Sequence, residues 1–558
     1  MLLIGIIWFG TLSYRHLIPT DEGRYAEMAR EMLVTNDWLT PRYNDYKYFE
    51  KPPLQIWATA LAFKLFGIGE WQARLWSGLT SFLTIIAVGL TAGSLFGKRA
   101  GVIASLILAS SPIWILGGHF NSLDMGLSAF MAMSLFAMLL SQSAPKKSGA
   151  EAFWMILCWA NMALAVLSKG LIGIALPGLV LIAYSITSFD WQIWKRLHLI
   201  KGLIVFLAIT APWFIWVSLE NPEFPNFFFI REHFERFTTD EHRRVAPWYY
   251  FFPLLLGGFL PWLLQLPKGI LLAFQERSNQ EPIFKPLWLC LIWCVLIFAF
   301  FSKSQSKLPG YIIPIFPALA ILAAAAIDRT FFASGPSSMF VKQKQGSTIW
   351  AFQTFGFALI FALGFFALPE VAKTGKPYEA QSYAQYAQWI GVALSVITAG
   401  CLLAWALRKK QPAKSILVFS MSFLLMTLIA GTGHETAGRL LSGVDLANKV
   451  RPFVKADAPF YSVNMLDHTV PFYLGKTMVM VQYPDELEFG ISQEPDKWLP
   501  SVEEFVKQWQ LETDKDALAI MRPEMFEVLK NNNNLPMEVI AEDPSRVVVR
   551  KIQPTESN

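Results

Sequence analysis

Apolar residues along this chain are not spread evenly but fall in blocks of about 17–22, each long enough to cross a hydrocarbon core of roughly 30 Å as a helix. Counting blocks predicts about thirteen spans, near 1–18, 77–96, 101–117, 121–141, 152–167, 168–187, 199–219, 249–266, 286–302, 309–327, 348–369, 386–406 and 415–431. The first block reads as a retained helix rather than a removed signal peptide. From about 432 the pattern changes. Short β-rich runs (APFYSV, TMVMVQ, RVVVRK) then alternate with polar helical stretches such as SVEEFVKQW. The expected fold is a mainly α membrane protein: a transmembrane domain over 1–431 with amphipathic periplasmic loop helices, and a soluble periplasmic α/β domain over 432–558.

Composition agrees with the pattern. Of 558 residues, 54% are hydrophobic and 16% charged, with a mean hydropathy of +0.39, where a soluble globular protein carries roughly 25% charged residues. The net charge of +5 is concentrated in alternate loops, from Lys98 and Arg99 through Lys195, Arg196 and Lys201 to Arg408, Lys409 and Lys410, which marks those loops as cytoplasmic. The other side, the periplasm of a bacterium, then holds 19–76, 220–248, 303–308 and the tail. The basic balance is thus accounted for without nucleic acid. The four cysteines lie in apolar blocks with neither metal spacing nor a disulfide framework, and read as packing residues.

The first external loop opens with Thr20 and DEGRYAEMAREML, a helix with a polar cap, acids in its first turn and an apolar stripe suited to the membrane surface. A turn follows at Asn36-Asp37. Pro52 and Pro53 in YNDYKYFEKPPLQIW then stop one helix and start the next. The loop at 220–248 alternates aromatic and charged residues as an interfacial segment does.

Ionisable residues at a membrane boundary are costly to place and are functional candidates by default. They cluster on the external side here. Asp21 reads equally as an acid favouring a helix N-terminus. The run Arg24, Glu27, Arg30, Glu31 reads as paired charges along a solvated face, with Arg24 the one candidate among them. Lys51, locked between Glu50 and Pro52, is placed to meet a phosphate as a point charge. Glu50 reads as a partner of Lys51 or Arg24, or, with His233, as a ligand of a divalent cation. Asp124 reads as a helix-start residue or a site acid. Lys307 and Tyr311 bracket Pro309 in KLPGY, where a lysine snorkelling to the interface is the alternative. No phosphate loop, dinucleotide fingerprint or His-Glu-x-x-His run is present, so no nucleotide cofactor is expected.

With these residues in view, the chain resembles the C-type, multi-spanning glycosyltransferases that use a polyprenyl-phosphate sugar donor. It looks most like the bacterial aminoarabinose transferases of lipid A and, more distantly, the protein O-mannosyltransferases. The resemblance lies in TDEGRYAEMAREM, YFEKPPLQIW, the LD of HFNSLDM, LSKGLIGIALP, FFFIREHFERF followed by APWYYFFPLLLGGFLPW, and FFSKSQSKLPGYIIPIFPALA, in order over roughly the first 330 residues. It implies thirteen spans with a periplasmic C-terminal domain, and a cavity under the external loops that undecaprenyl phosphate enters from the side. Carried onto these motifs, it implies that Asp21, Arg24, Lys51 and Asp124 are catalytic. It implies that Tyr48, Glu50, Arg236, Lys307 and Tyr311 bind substrate, and that Glu50 and His233 stand near a metal. Gly23 departs from the family pattern, which commonly has Thr there and so a less loose helix; a second proline in YFEKPPL and the C-terminal domain, which carries little of the resemblance, depart as well.

The function expected is transfer of a sugar, 4-amino-4-deoxy-L-arabinose, from undecaprenyl phosphate to lipid A or another envelope acceptor among the lipids of the inner membrane. The alternatives are protein O-mannosyl transfer, transfer of another polyprenyl-linked sugar, and a lipid flippase or transporter. The last would show repeated halves and charges at the bilayer midplane.

Overall fold

The computed structural model describes residues 1–235, 246–278, 284–332, 338–512, 516–533 and 535–552, side chains excepted at 233–235, 338–347 and 532–533. The chain forms two compact units: Met1–Leu12 with Arg74–Thr436, and Ser13–Ala73 with Ala437–Asn558.

The first unit is helical and apolar. Among the described residues nine helices are long and apolar enough to cross a membrane, and two bent pairs raise the number to 11 if each pair is one span. The protein is therefore a multi-span membrane protein. The two bends fall on blocks that the sequence presents as continuous. Lys98–Ala109 and Pro112–Gly118 meet at 68°, where the Ser110 and Ser111 hydroxyls donate back to carbonyls of the preceding turn and Pro112 cannot extend the hydrogen-bond ladder. Phe251–Gly258 and Leu260–Ser278 meet at 85°, with Pro261 opening the second piece. The block at 168–187 appears as the 17-residue helix Ile172–Ser188. The block at 1–18 is helical only over Leu2–Gly10, about 14 Å long at 1.5 Å per residue. Tryptophans fill the interior of this unit: Trp8, Trp114, Trp262 and Trp350 are fully buried, and their indole N–H groups donate to Gly78 O, Ser81 O, Ser110 Oγ and Ser415 Oγ. All four cysteines are buried and unpaired in disulfides.

The second unit is an α/β body into which the first loop is built. Its main sheet has the order β4-β3-β5-β7-β6, formed by β3 (Phe460–Val463), β4 (Val479–Val481), β5 (Leu518–Met521), β6 (Met537–Asp543) and β7 (Arg546–Lys551). β3 runs parallel to β4 and β5, and β7 is antiparallel to β5 and β6. The central LAIM strand is buried throughout, because both faces of the sheet are covered. Ala519 and Met521 join Phe505 and Trp509 on one side, while Leu518 and Ile520 join Leu446 and Val450 on the other, as period-two geometry requires.

Within the same unit, helix Asp21–Thr35 buries eleven of its 15 residues. The solvated, membrane-surface reading of this helix is therefore corrected: Glu27 is 0% and Glu31 4% exposed. Charge pairing makes the burial tolerable. Arg30 donates two hydrogen bonds to Glu27, Arg15 pairs with Glu22 at 2.5 Å, and the Glu31 carboxylate accepts the backbone N–H groups of Asn44 and Asp45 at 2.6 and 2.8 Å. Those two residues have φ of 52° and 64° and form the turn between β1 (Arg42–Tyr43) and β2 (Tyr46–Lys47).

Candidate active site

Local structure around Arg24 follows from the loop's punctuation. Thr20 precedes the helix without a side-chain cap, Asn36 ends it in the left-handed region, and the next helix, Leu54–Phe66, starts directly after Pro53. Between them the β1–β2 hairpin presents Tyr43 and Tyr48 inward, both at most 2% exposed.

Arg24 is 4% exposed and is held on three sides. It donates to Tyr48 Oη at 3.0 Å, lies 3.3 Å from Asp21, and its Nε is 3.0 Å from Glu486 Oε1. The last contact is an ion pair without hydrogen-bond alignment, since both atoms lack a hydrogen-bond partner. Glu486 comes from the sheet-bearing part of the unit, as does His468, whose Nδ1 is 2.9 Å from Tyr43 Oη and 3.6 Å from Glu486. Gly23 permits this close approach, because a Cβ there would sit 2.1 Å from His468 O.

The electrostatics follow from burial. Desolvation pushes the Glu486 carboxyl up to about 7; Arg24 pulls it down while Glu50, Asp485 and Asp21 raise it further. The His468 imidazole is lowered to about 4 by burial and by Arg24. Burial also raises the Tyr25, Tyr43 and Tyr48 phenols, with Arg24 opposing. Near neutral pH the site thus holds a fixed guanidinium, a neutral imidazole, and a carboxyl poised between its two forms.

The structure brings Asp21, Arg24 and Tyr48 together. Lys51 stands beside Glu50, donating to its carbonyl at 2.8 Å with its Nζ 3.8 Å from Glu50 Oε2, and the Glu50 charge is felt at Tyr48 and Glu486. Glu486 and His468 were missed in the sequence reading, which carries no signal for partners more than 420 positions away.

Asp124, Lys307 and Tyr311 belong to the first unit. Asp124 is the second residue of helix Leu123–Ser143 and pairs with Lys169, whose ammonium lies 4.4 Å from the centre of the Tyr311 ring. Gly310 packs so closely on this carboxylate that a Cβ would meet it at 2.2 Å. Lys169 was also missed, although it lies in LSKGLIG. Lys307 is 6% exposed and donates to Ser304 O, so it is tucked inward rather than extended to an interface. Arg236 and the His233 side chain lie outside the described residues. Among the described residues no three His, Cys, Asp or Glu side chains gather as a metal cluster.

Comparison with known proteins points to one family. Residues 446–551 match the model of the aminoarabinose transferase C-terminal domain, and 50–216 match that of dolichyl-phosphate-mannose-protein mannosyltransferase. The first match corrects the expectation that the C-terminal domain carries little family likeness. An undecaprenyl phosphate-α-4-amino-4-deoxy-L-arabinose arabinosyl transferase of Pseudomonas fluorescens is 33% identical over 340 residues, 59% of either chain, and one of Proteus mirabilis is 34% identical over 59% of this chain and 58% of its own. The match thus spans under two thirds of the length of these curated relatives. The crystal structure of ArnT from Cupriavidus metallidurans bound to undecaprenyl phosphate is 43% identical with a TM-score of 0.90, covering 99% of this chain and 97% of that one. The archaeal oligosaccharyltransferase AglB of Archaeoglobus fulgidus shares the fold at 13% identity, with a TM-score of 0.51 over 94% of this chain and 69% of its own. A protein this similar to ArnT over nearly its whole length belongs to the ArnT family of aminoarabinose transferases.

Proposed function

We propose that this protein transfers 4-amino-4-deoxy-L-arabinose from undecaprenyl phosphate to lipid A at the periplasmic face of the bacterial inner membrane. The observation that supports this most is the near full-length likeness to an ArnT solved with undecaprenyl phosphate, joined to a buried Arg24 held by Tyr48 and two carboxylates.

Transfer breaks the bond between the sugar's anomeric carbon and the donor phosphate oxygen, and the electron pair leaves with the phosphate. Lys51 and Arg24 stabilise that charge in a poorly hydrated setting, where one such contact is worth about 10²–10³ in rate. A lipid A phosphate attacks the anomeric carbon as an anion and needs no base, whereas a sugar hydroxyl would give its proton to Asp21. Glu486 competes with the donor phosphate for Arg24, and its protonation releases that cation. In the other unit, Asp124 with Lys169 and Tyr311 form a second candidate set, to be tested separately.

Glu50 is proposed as a carboxylate that could hold a divalent cation, which would supply neutralisation of phosphate charge. Chelation that lowers turnover reversibly, restored by Mg²⁺ or Zn²⁺, supports it; unaltered turnover removes it. The match at 50–216 favours a second reading, transfer to protein hydroxyls. Purified protein supplied with the undecaprenyl-linked aminosugar and either lipid A or a serine-rich peptide separates the two. Labelled lipid A supports the proposal, and labelled peptide alone replaces it.

A further inference from the structure

A cleft of about 570 Å³ lies in the α/β unit, away from every residue of the Arg24 site named above. It opens at the starts of β3 and β4, and its size is within the roughly 300–1,000 Å³ of small-molecule sites. The hairpin links the two places without sharing side chains. Tyr43 and Tyr48 face His468 and Arg24, while Asn44, Asp45 and Tyr46 line the cleft.

That wall is fixed. Asn44 exchanges two hydrogen bonds with the Met478 backbone, at 2.8 and 2.7 Å, and Tyr46 Oη donates to Lys497 O at 2.6 Å. The cleft's charges are divided unequally between committed and available groups. Lys497 is engaged by Asp45 and Glu494 at 2.9 and 3.1 Å, and Lys476 donates to the carbonyls of Lys455 and Ala456. By contrast, the side chains of Asp457, Thr477, Asp496 and Trp498 line the same space with no hydrogen bond or ion pair to another described residue. The available groups are two carboxylates, a hydroxyl and a half-buried indole, with both cations occupied.

We infer that this cleft binds a pyranose unit bearing no negative charge, a neutral sugar or an amino sugar, as a saccharide subsite separate from the Arg24 site. The indole face receives the apolar C–H face of the ring, as aromatic faces receive groups with positive edges. Asp457 and Asp496 accept from neighbouring hydroxyls or an ammonium, each carboxylate offering acceptors only. The Lys476 ammonium is held only by neutral carbonyls and keeps its charge, yet the two free carboxylates outweigh it, so the cleft is net negative and disfavours an anionic sugar. The inference goes beyond the transfer reaction and does not depend on which acceptor that reaction uses.

The test is saturation-transfer NMR on the full-length protein in a detergent without sugar, such as lauryldimethylamine oxide, with methyl β-glucosaminide, methyl β-glucoside and galacturonate as probes. The two glycosides are expected to take up saturation and galacturonate not. Trp498→Ala should weaken glycoside binding about tenfold, and Asp457→Asn with Asp496→Asn, both at exposed positions, should do the same without touching the fold. Lys51→Ala should leave binding unchanged. No saturation of either glycoside, equal binding of galacturonate, insensitivity to both cleft variants, or loss of binding in Lys51→Ala would each overturn the inference.

Discussion

Placing a methyl group on Gly23 sets two effects of known sign against each other. Gly23 lies inside helix Asp21–Thr35, where exchange for alanine gains about 0.5–1 kcal/mol of helix stability. The added Cβ would meet His468 O at 2.1 Å and Thr469 Cγ2 at 2.7 Å, far inside the 3.4–4 Å of ordinary contact. The backbone carbonyl cannot swing aside. Its neighbour Asp467 accepts from the N–H groups of Thr469 and Val470 at 2.9 and 2.8 Å and is itself clamped by Arg546. Overpacking of this kind costs about 1–3 kcal/mol, so the clash wins and Gly23→Ala loses about 1–2 kcal/mol net. At roughly 2–4 °C per kcal/mol for a large chain, Tm falls by about 2–8 °C in scanning fluorimetry of the purified protein. Gly23→Thr should fall further, and turnover should drop with the displacement of His468. An unchanged or raised Tm for Gly23→Ala would refute the close approach on which the geometry of this site rests.

Three further outcomes are expected. Glu486→Gln removes a carboxyl held up at about 7 from an unfolded value near 4.5; the stability it contributes is full below about pH 4.5 and lost as pH rises through about 7. Wild type should therefore lose Tm relative to Glu486→Gln between pH 5 and pH 8, and the variant's donor KM should lose its rise above pH 7; parallel pH profiles would contradict this. Lys51→Ala should lower kcat/KM for the lipid-linked donor by about 10²–10³ with Tm held, and Lys51→Arg should recover part; a loss under tenfold would remove Lys51 from phosphate binding. Lys169→Met leaves Asp124 without its cation, so Lys169→Met with Asp124→Asn should be more stable than Lys169→Met alone by about 0.5–3 kcal/mol, read by thermal unfolding; additive effects of the two single changes would refute the pairing.

What the sequence could and could not reveal follows from the range of each interaction. The apolar blocks are long, local signals and most fall on apolar helices, but a bend at Ser110-Ser111-Pro112 leaves the hydropathy of its block intact and is invisible to it. Pro52-Pro53 and Asn36 act on their own backbone, so the loop's punctuation was legible. Burial of helix Asp21–Thr35 was not. Its charges look solvated in a periodic pattern; local pairs such as Arg30–Glu27 are readable, but the hairpin N–H of Asn44 on Glu31 and the Glu486 carboxyl on Arg24, which bury this face, come from residues the pattern does not link to it. Lys169 reads as a helix-end cation until the fold sets Asp124, 45 residues earlier, against it. Strands β3, β4 and β7 fall on the runs APFYSV, TMVMVQ and RVVVRK, while the short LAIM of β5 stands out in no pattern, and the cleft beside β3 and β4 arises only where 44–46 meets the 457–461 and 476–499 stretches.

The central claim is tested most directly by mass spectrometry of lipid A from three otherwise identical bacterial strains: lacking this protein, producing it, and producing Lys51→Ala at equal membrane level. The account predicts a mass increment of one aminopentose on lipid A only in the strain with the intact protein. Lipid A of the same mass in all three strains would contradict lipid A as the acceptor, and an increment retained in full by Lys51→Ala would contradict the site.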